Sequence, residues 1–298
     1  MPLVYIILVN YNNYQDTIEC VCSLQKIKYS NYKIVIVDNN SKDGSIEVLR
    51  DNFKKCIIID TNSNLGFAGG NNLAIRYALE NNADYVLLLN NDTVVEKSFL
   101  EKLVEVGERY EDVGIVGGKI YYFSEPHKIW YAGGKISKLI GKTKHIDVNE
   151  IDLNENNKIF ETDYVTGCMM LVSRKAIEKV GMMDENYFLY YEETDWNVRI
   201  KNKGFRIMYT PYSIIYHKIS SSTKKISYIL GGYYDRNQYY FIMKNFNFVN
   251  KVCMYCYMRI KLILKLFKAI IKGNTKKVRV IKYTYYCIKN NIMGEMKI

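Results

Sequence analysis

The chain has 298 residues, 48% of them hydrophobic and 24% charged, with 3 Pro and 18 Gly. This composition excludes a disordered or collagen-like protein and supplies enough apolar material for a packed core. The net charge of +11 suggests nucleic acid until it is located: residues 249–298 hold 12 Lys+Arg and the single acid Glu295, leaving 30 basic and 30 acidic residues in 1–248. The body is thus neutral, and the tail is a basic device of its own.

Apolar runs at 3–9, 33–37, 56–59, 85–89 and 114–120 alternate with amphipathic stretches at 17–26, 45–53, 69–80 and 96–109. Continuous apolar runs of this length fit strands buried on both faces. Their alternation with helices predicts an α/β fold, a doubly wound, mostly parallel Rossmann-like sheet with right-handed crossovers. Beyond 120 the spacing predicts a polar surface excursion at 143–163, a strand at 164–173, helices at 174–180 and 193–203, and strands at 205–209 and 214–217. The seven cysteines form no paired framework, and Met1-Pro2-Leu3 runs into a strand without a leader pattern, so a reducing cytosol is expected. Cys20-x-Cys22 and Cys253-x-x-Cys256 lack partners at zinc-site spacing. No run of about 18 uncharged apolar residues suggests a membrane span.

The predicted strands end in Asn10-Tyr11-Asn12-Asn13, in Asp38-Asn39-Asn40-Ser41-Lys42-Asp43-Gly44, in Asn64-Leu65-Gly66-Phe67-Ala68-Gly69-Gly70-Asn71-Asn72, and in Asn90-Asn91-Asp92-Thr93. Ligands of open α/β sheets bind beyond the carboxyl ends of the strands, so four polar ends on one edge indicate a binding site. Asp38 can accept hydrogen bonds from a ribose or base edge, or else cap the next helix. Gly66, Gly69 and Gly70 permit close backbone approach, with phosphate at a helix amino end as one occupant, although no dinucleotide or P-loop signature is present. Asp92 and His217 both follow strands; a carboxylate and an imidazole suit a divalent metal, Mn²⁺ or Mg²⁺, with substrate oxygens completing its shell. Glu192, Glu193 and Asp195 open a helix beside Tyr187-Phe188-Leu189-Tyr190-Tyr191. Desolvation there raises a carboxyl pKa and makes a better base. Asp195 and Arg199 are spaced to pair on one helical face, leaving Glu192 or Glu193 freer.

As a set, these residues resemble the family 2 glycosyltransferases of the GT-A fold, nearest to bacterial rhamnosyltransferase-like members. The pieces run in order over about residues 1–220: Val9-Asn10-Tyr11-Asn12, Val37-Asp38-Asn39-Asn40-Ser41, Asn64-Leu65-Gly66-Phe67-Ala68-Gly69-Gly70-Asn71-Asn72, Leu89-Asn90-Asn91-Asp92-Thr93, Val165-Thr166-Gly167-Cys168, Glu192-Glu193-Thr194-Asp195-Trp196, Arg199 and His217. The resemblance implies inverting transfer of a sugar from a UDP- or dTDP-sugar to a hydroxyl of a lipid-linked or growing surface glycan. It assigns Asn10, Tyr11, Asn12, Asp38, Asn71, Asn91 and Asp92 to the nucleotide sugar, and Asp92 and His217 to the metal. Glu193 is the general base, with Glu192 or Asp195 able to take the role. Two positions depart from the pattern: Asn90 replaces the first acid of Asp-x-Asp, and Glu193 is a methylene longer than the usual Asp. The implied domains are a catalytic unit at 1–220, its nucleotide half about 1–120 and acceptor half about 121–220, followed by a helical basic region at 221–298. The rival readings are a sugar-phosphate nucleotidyltransferase, whose Gly-rich basic turn is missing after the first strand, and a non-catalytic nucleotide-sugar or glycan-binding protein.

In the tail, Lys261, Lys265, Lys268, Lys272 and Lys276 form one helical stripe, with Ile260, Ile263, Leu264, Phe267, Ile270 and Ile271 supplying much of the other surface. Such a helix either lies in an anionic membrane surface, apolar side inserted, or docks on the body with its lysines solvated. Nucleic acid is excluded as a partner because the apolar side would be unexplained. The expected location is cytoplasmic, peripheral on the inner face of the plasma membrane.

Overall fold

Val4, Tyr5, Ile6, Ile7 and Leu8 have no exposed surface, the condition of a strand covered on both faces. In the computed structural model, which describes residues 1–153, 157–219 and 227–298, they form β1 (Val4–Asn10). The other strands are β2 (Tyr32–Asp38), β3 (Ile57–Asp60), β4 (Tyr85–Leu89), β5 (Thr93–Val95), β6 (Val113–Tyr122), β7 (Glu125–Tyr131), β8 (Gly134–Ile136), β9 (Thr143–His145), β10 (Phe160–Glu161), β11 (Met169–Ser173) and β12 (Arg206–His217). The helices of the body are α1 (Tyr14–Leu24), α2 (Ser45–Asn52), α3 (Gly66–Glu80), α4 (Phe99–Arg109), α5 (Arg174–Val180) and α6 (Glu192–Asn202).

Ten strands form one sheet in the order β10-β12-β6-β11-β4-β1-β2-β3, with β5 on β12 and β7 on β6; β8 and β9 make a separate hairpin. β1 to β4 pair in parallel, β11 runs antiparallel between β4 and β6, and β12 is parallel to β6. The expected α/β, mostly parallel architecture is therefore present, and it is a GT-A fold. Period-two alternation splits β1 between two cores. Val4, Ile6 and Leu8 pack with Val21, Leu24 and Leu103 on one face; Tyr5 and Ile7 pack with Ala74, Trp196 and Ile200 on the other.

Four expectations are corrected. The helix placed at 69–80 begins at Gly66. The strand placed at 164–173 begins only at Met169, because the Asn197 side chain takes both the N–H and the C=O of Val165, at 3.0 and 2.9 Å. The strands placed at 205–209 and 214–217 are one strand, β12, irregular between Thr210 and Ile214, where Pro211 cannot donate to the ladder. The excursion at 143–163 is not wholly surface: β9 and β10 lie in it, and Asp152 pairs with buried Lys119 at 2.5 Å, since a buried ammonium requires a partner. Residues 154–156 of that stretch lie outside the described residues, as do 221–226, where the C-terminal region was placed to begin.

That region contains α7 (Ser227–Asn245), α8 (Phe248–Ile271) and α9 (Thr275–Lys289). Phe241, Ile242, Met254, Met258, Leu262 and Ile281 form a third core that also takes in Tyr187 and Tyr191 of the body. The lysine stripe is divided: Lys268 and Lys272 stay exposed and Lys276 falls in α9. Lys261 and Lys265 turn inward to Asp235 of α7, at 2.8 and 2.5 Å, while the apolar side chains Ile260, Ile263, Phe267 and Ile271 face outward. Among the described residues no helix is long and apolar enough to cross a membrane.

Candidate functional site

The carboxyl ends of β1, β2 and β4 meet through side-chain amides. Parallel register sets Asn10 opposite Asp38, and Asn10 Nδ2 donates to Asp38 Oδ2 at 2.7 Å. Asn10 Oδ1 accepts from Thr17 of α1 at 2.7 Å, and Asn91 Nδ2 donates to the same hydroxyl at 2.8 Å. Asp38 Oδ1 accepts the N–H of Ser41 at 2.9 Å. Asn10 and Asp38 are buried beneath the cleft, so they reach a ligand only by giving up one of these bonds.

Above them opens a cleft of about 840 Å³, lined by Tyr11, Asn12, Asn71, Asn91 and Asp92 among others. Five of the seven residues expected to hold a nucleotide sugar therefore face it. Gly66 also lines the cleft, and the glycines serve packing. A Cβ on Gly66, whose φ is +69°, would meet the carbonyl oxygen of Phe188 at 2.3 Å, and one on Gly70 would meet Val9 at 3.2 Å. They let α3 pack against protein.

Asp92 and His217 are brought together from opposite sides of residue 200. His217 Nε2 lies 3.0 Å from Asp92 Oδ1, because β12 pairs with β5 and sets His217 opposite Thr93. The imidazole is buried, its ring edge-on to Trp130 with centroids 4.7 Å apart. Burial alone would depress its pKa, but Cys168 and Asp92 outweigh burial and push it up to about 10, so a cation bound at Nε2 would have to displace the proton shared with Asp92. Two ligands 3.0 Å apart can bind one divalent cation side by side. Among the described residues no group of three or more His, Cys, Asp or Glu side chains could hold a metal. The remaining positions would fall to substrate oxygens and water, the habit of a hard cation carried with phosphates.

Glu192 and Glu193 stand in the first turn of α6, where acids are favoured by the helix dipole. They do not line the cleft. Burial raises the pKa of both, and the neighbouring charge of Glu193 raises that of Glu192 further. Glu192 is 3% exposed, and its Oε2 has no hydrogen-bond partner among the described residues. Glu193 is partly exposed and sits next to Gly167 and Phe67; Phe67 lines the cleft.

Asp195 is corrected as a base candidate. Its carboxylate accepts from Arg199 Nε at 2.6 Å, Lys244 Nζ at 3.0 Å, Tyr187 Oη at 3.1 Å and Asn245 Nδ2 at 2.7 Å. With four donors on it and no exposed surface, the carboxylate leaves no room for an acceptor hydroxyl. It fastens α6 to α7.

Helix α7 is the part of the site that the sequence reading missed. Ile229, Leu230 and Tyr233 line the cleft, and Tyr233 stacks on Phe188 at 5.6 Å. Phe188, Tyr190 and Tyr191 have φ of +62°, +70° and +75°, a left-handed conformation that costs a bulky residue about 1–3 kcal/mol. Asn237, wholly buried, directs Nδ2 to the carbonyls of Tyr187, Leu189 and Tyr190 at 2.9, 2.8 and 2.8 Å. The strained turn that launches Glu192 and Glu193 is thus tied to α7. The available signal was a polar run, Asp235-Arg236-Asn237-Gln238, inside a tyrosine-rich helix.

Comparison with known proteins agrees with this geometry. The profile of Glycosyl transferase family 2 matches residues 5–181. The dTDP-rhamnosyl transferase RfbF of Shigella flexneri is 27% identical over 223 residues, covering 75% of this chain and 71% of that protein. The N-acetylglucosaminyl-diphospho-decaprenol L-rhamnosyltransferase of Mycobacterium tuberculosis is 23% identical over 212 residues, covering 64% and 67%. Among solved structures, GalNAc-T7 with UDP, GalNAc and Mn²⁺ superposes with a TM-score of 0.66 at 14% identity, covering 82% of this chain and 48% of that one.

Proposed function

The chain belongs to glycosyl transferase family 2, and from that premise we propose that it transfers a sugar, with inversion, from a UDP- or dTDP-sugar to a hydroxyl of a lipid-linked or growing surface glycan. The observation that carries this reading is the 3.0 Å approach of Asp92 to His217 on the edge where the Asn10–Asp38–Asn91 network underlies a wide polar cleft. A saccharide acceptor on a lipid is favoured by the named activity of the mycobacterial relative, and the enzyme meets it as a peripheral protein at the cytoplasmic face of the membrane.

Tyr11, Asn12 and Asn71 orient the nucleotide. Asp92 and His217 would hold Mn²⁺ or Mg²⁺, which would offset the negative charge of the departing diphosphate. Glu193 removes the proton of the acceptor hydroxyl as the oxygen attacks the anomeric carbon from the face opposite the leaving group. Its raised pKa suits that step, because a base is most effective when its pKa approaches the working pH. Burial keeps the Glu193 carboxylate basic, and its charge favours the neutral form of the buried Glu192 next to it. Only one acid is free for proton transfer while Asp92 is committed to the cation, which separates this site from a glycosidase, where two carboxyls flank the bond.

The test is a panel of nucleotide sugars scored by thermal shift with and without Mn²⁺, followed by product analysis. One donor is expected to raise Tm in a metal-dependent way. Asp92→Asn should lose both the metal-dependent shift and transfer; Glu193→Gln should keep the shift and lose transfer. Unchanged transfer in Glu193→Gln removes its role as base, and donor binding without turnover by the native chain favours the non-catalytic binder.

A further inference from the structure

The most exposed apolar surface of the molecule lies on α8. Val252, Ile260, Ile263, Phe267, Ile270 and Ile271 are each between 45% and 68% exposed, and at 3.6 residues per turn they fall on one face. The opposite face carries Met254, Met258, Leu262 and Ala269, all buried against the rest of the C-terminal region. The helix is therefore already docked, and its outer stripe is surplus to the fold. Its 24 residues give a length of about 36 Å, and it is not apolar enough to cross a bilayer.

Charge selects the occupant. Lys261 and Lys265 are spent on Asp235. Arg259, Lys268 and Lys272 are exposed and have no acidic partner among the described residues. Beside them α9 exposes Arg279, Lys282, Tyr285, Tyr286 and Lys289. Residues 249–298 contain one acid against 12 basic residues, so a second copy would set like charges against each other. A surface that is apolar in its middle and anionic around it matches, as a bilayer rich in acidic headgroups does.

We infer that the outer face of α8 is the membrane-docking surface of this protein, lying flat with Ile263 and Phe267 sunk among acyl chains and Lys268, Lys272 and Arg259 against anionic headgroups. This rests on the proposed membrane-borne acceptor for its purpose, but its physical basis is independent of the chemistry.

The test is co-sedimentation of the full chain with phosphatidylcholine vesicles, with and without phosphatidylglycerol. Binding to the mixed vesicles is expected, weakening as salt rises. The double variant Ile263→Glu/Phe267→Glu should lower the partition coefficient at least about tenfold without changing Tm, since both side chains are solvent-exposed. Lys268→Glu/Lys272→Glu should weaken binding to the mixed vesicles and leave binding to plain vesicles unchanged. Glu193→Gln should sediment like the native chain, which keeps failure of docking distinct from failure of transfer. Equal binding by the native chain and Ile263→Glu/Phe267→Glu overturns the inference. So does a dimer that this variant dissociates, with no vesicle binding by the native chain.

Discussion

In β1 five consecutive apolar side chains are completely buried, whereas in α8 Ile260, Ile263, Phe267 and Ile271 stand 59–68% exposed. The two regions differ in charge as sharply: the body through residue 248 balances 30 bases with 30 acids, while the fifty residues after it are almost purely basic. Within the body, ionic groups are matched at close range, as in Lys119–Asp152 and Asp195 with Arg199 and Lys244. The tail leaves most of its cations unmatched. A region that satisfies its own apolar and ionic groups needs only water around it; one that leaves both exposed on one side has the character of an interaction surface. Helix α7 belongs to both, because its Asp235 receives the lysines of α8 and its Asn237 holds the turn before Glu192 and Glu193.

If this division is right, substitutions should separate along it. The largest effect is expected from Glu193→Gln, with transfer falling about 10²–10⁴-fold while the vesicle and donor binding of the protein remain; retained turnover would break the assignment of chemistry to the body. Next comes Asn237→Ala, which removes the shared donor of three carbonyls. A loss of about 1–3 kcal/mol in stability should appear in denaturant melts, with kcat lowered and KM raised together, because the turn that Asn237 holds carries Leu189 and Tyr190 of the cleft wall as well as leading to Glu192 and Glu193. An unchanged KM would mean that the turn keeps its place in the cleft wall without Asn237.

A third prediction concerns pH. The folded-state pKa of Glu192 lies above its unfolded value, so the stability this shift confers is full below the unfolded pKa and is lost as pH rises through the folded one. Glu192→Gln should therefore raise Tm, increasingly so from mildly acidic toward neutral pH. In the native enzyme kcat/KM should fall with acidification while an ordinary glutamate is still ionised, since the raised pKa of Glu193 protonates the base early. A Tm gain that is the same at every pH would remove the burial argument. The smallest effect is expected from Ile260→Ser on the outer face of α8, within about 0.5 kcal/mol of the native stability in detergent-free solution; a larger loss would mean that this face packs on protein.

The carboxyl-edge site was legible from sequence because buried parallel strands are continuous apolar runs, and a polar residue that interrupts one must sit at its end. Asn10, Asp38 and Asp92 stand at such breaks. The pairing of Asp92 with His217 was readable as a carboxylate and an imidazole at two strand ends, a donor set that suits a divalent cation, and the family resemblance implies the same pair. Less was readable where side chains compete with backbone. Asn197 captures Val165 and shortens β11, and Gly66 admits the close approach of the Phe188 carbonyl.

Local pattern alone determined the strand–helix alternation, the polar sheet edge, the neutral body and the amphipathic basic tail, since each depends on residues within a few positions of one another. Tertiary structure decided which carboxylate is spent and which is free, which face of α8 meets the protein, and that a helix beyond residue 226 completes the site. Those outcomes depend on partners brought together across 40 to more than 100 positions, as Asp195 is with Asn245 and Asn72 with Met183, and spacing along a chain does not encode which distant group will fill a given hydrogen bond or cover a given surface.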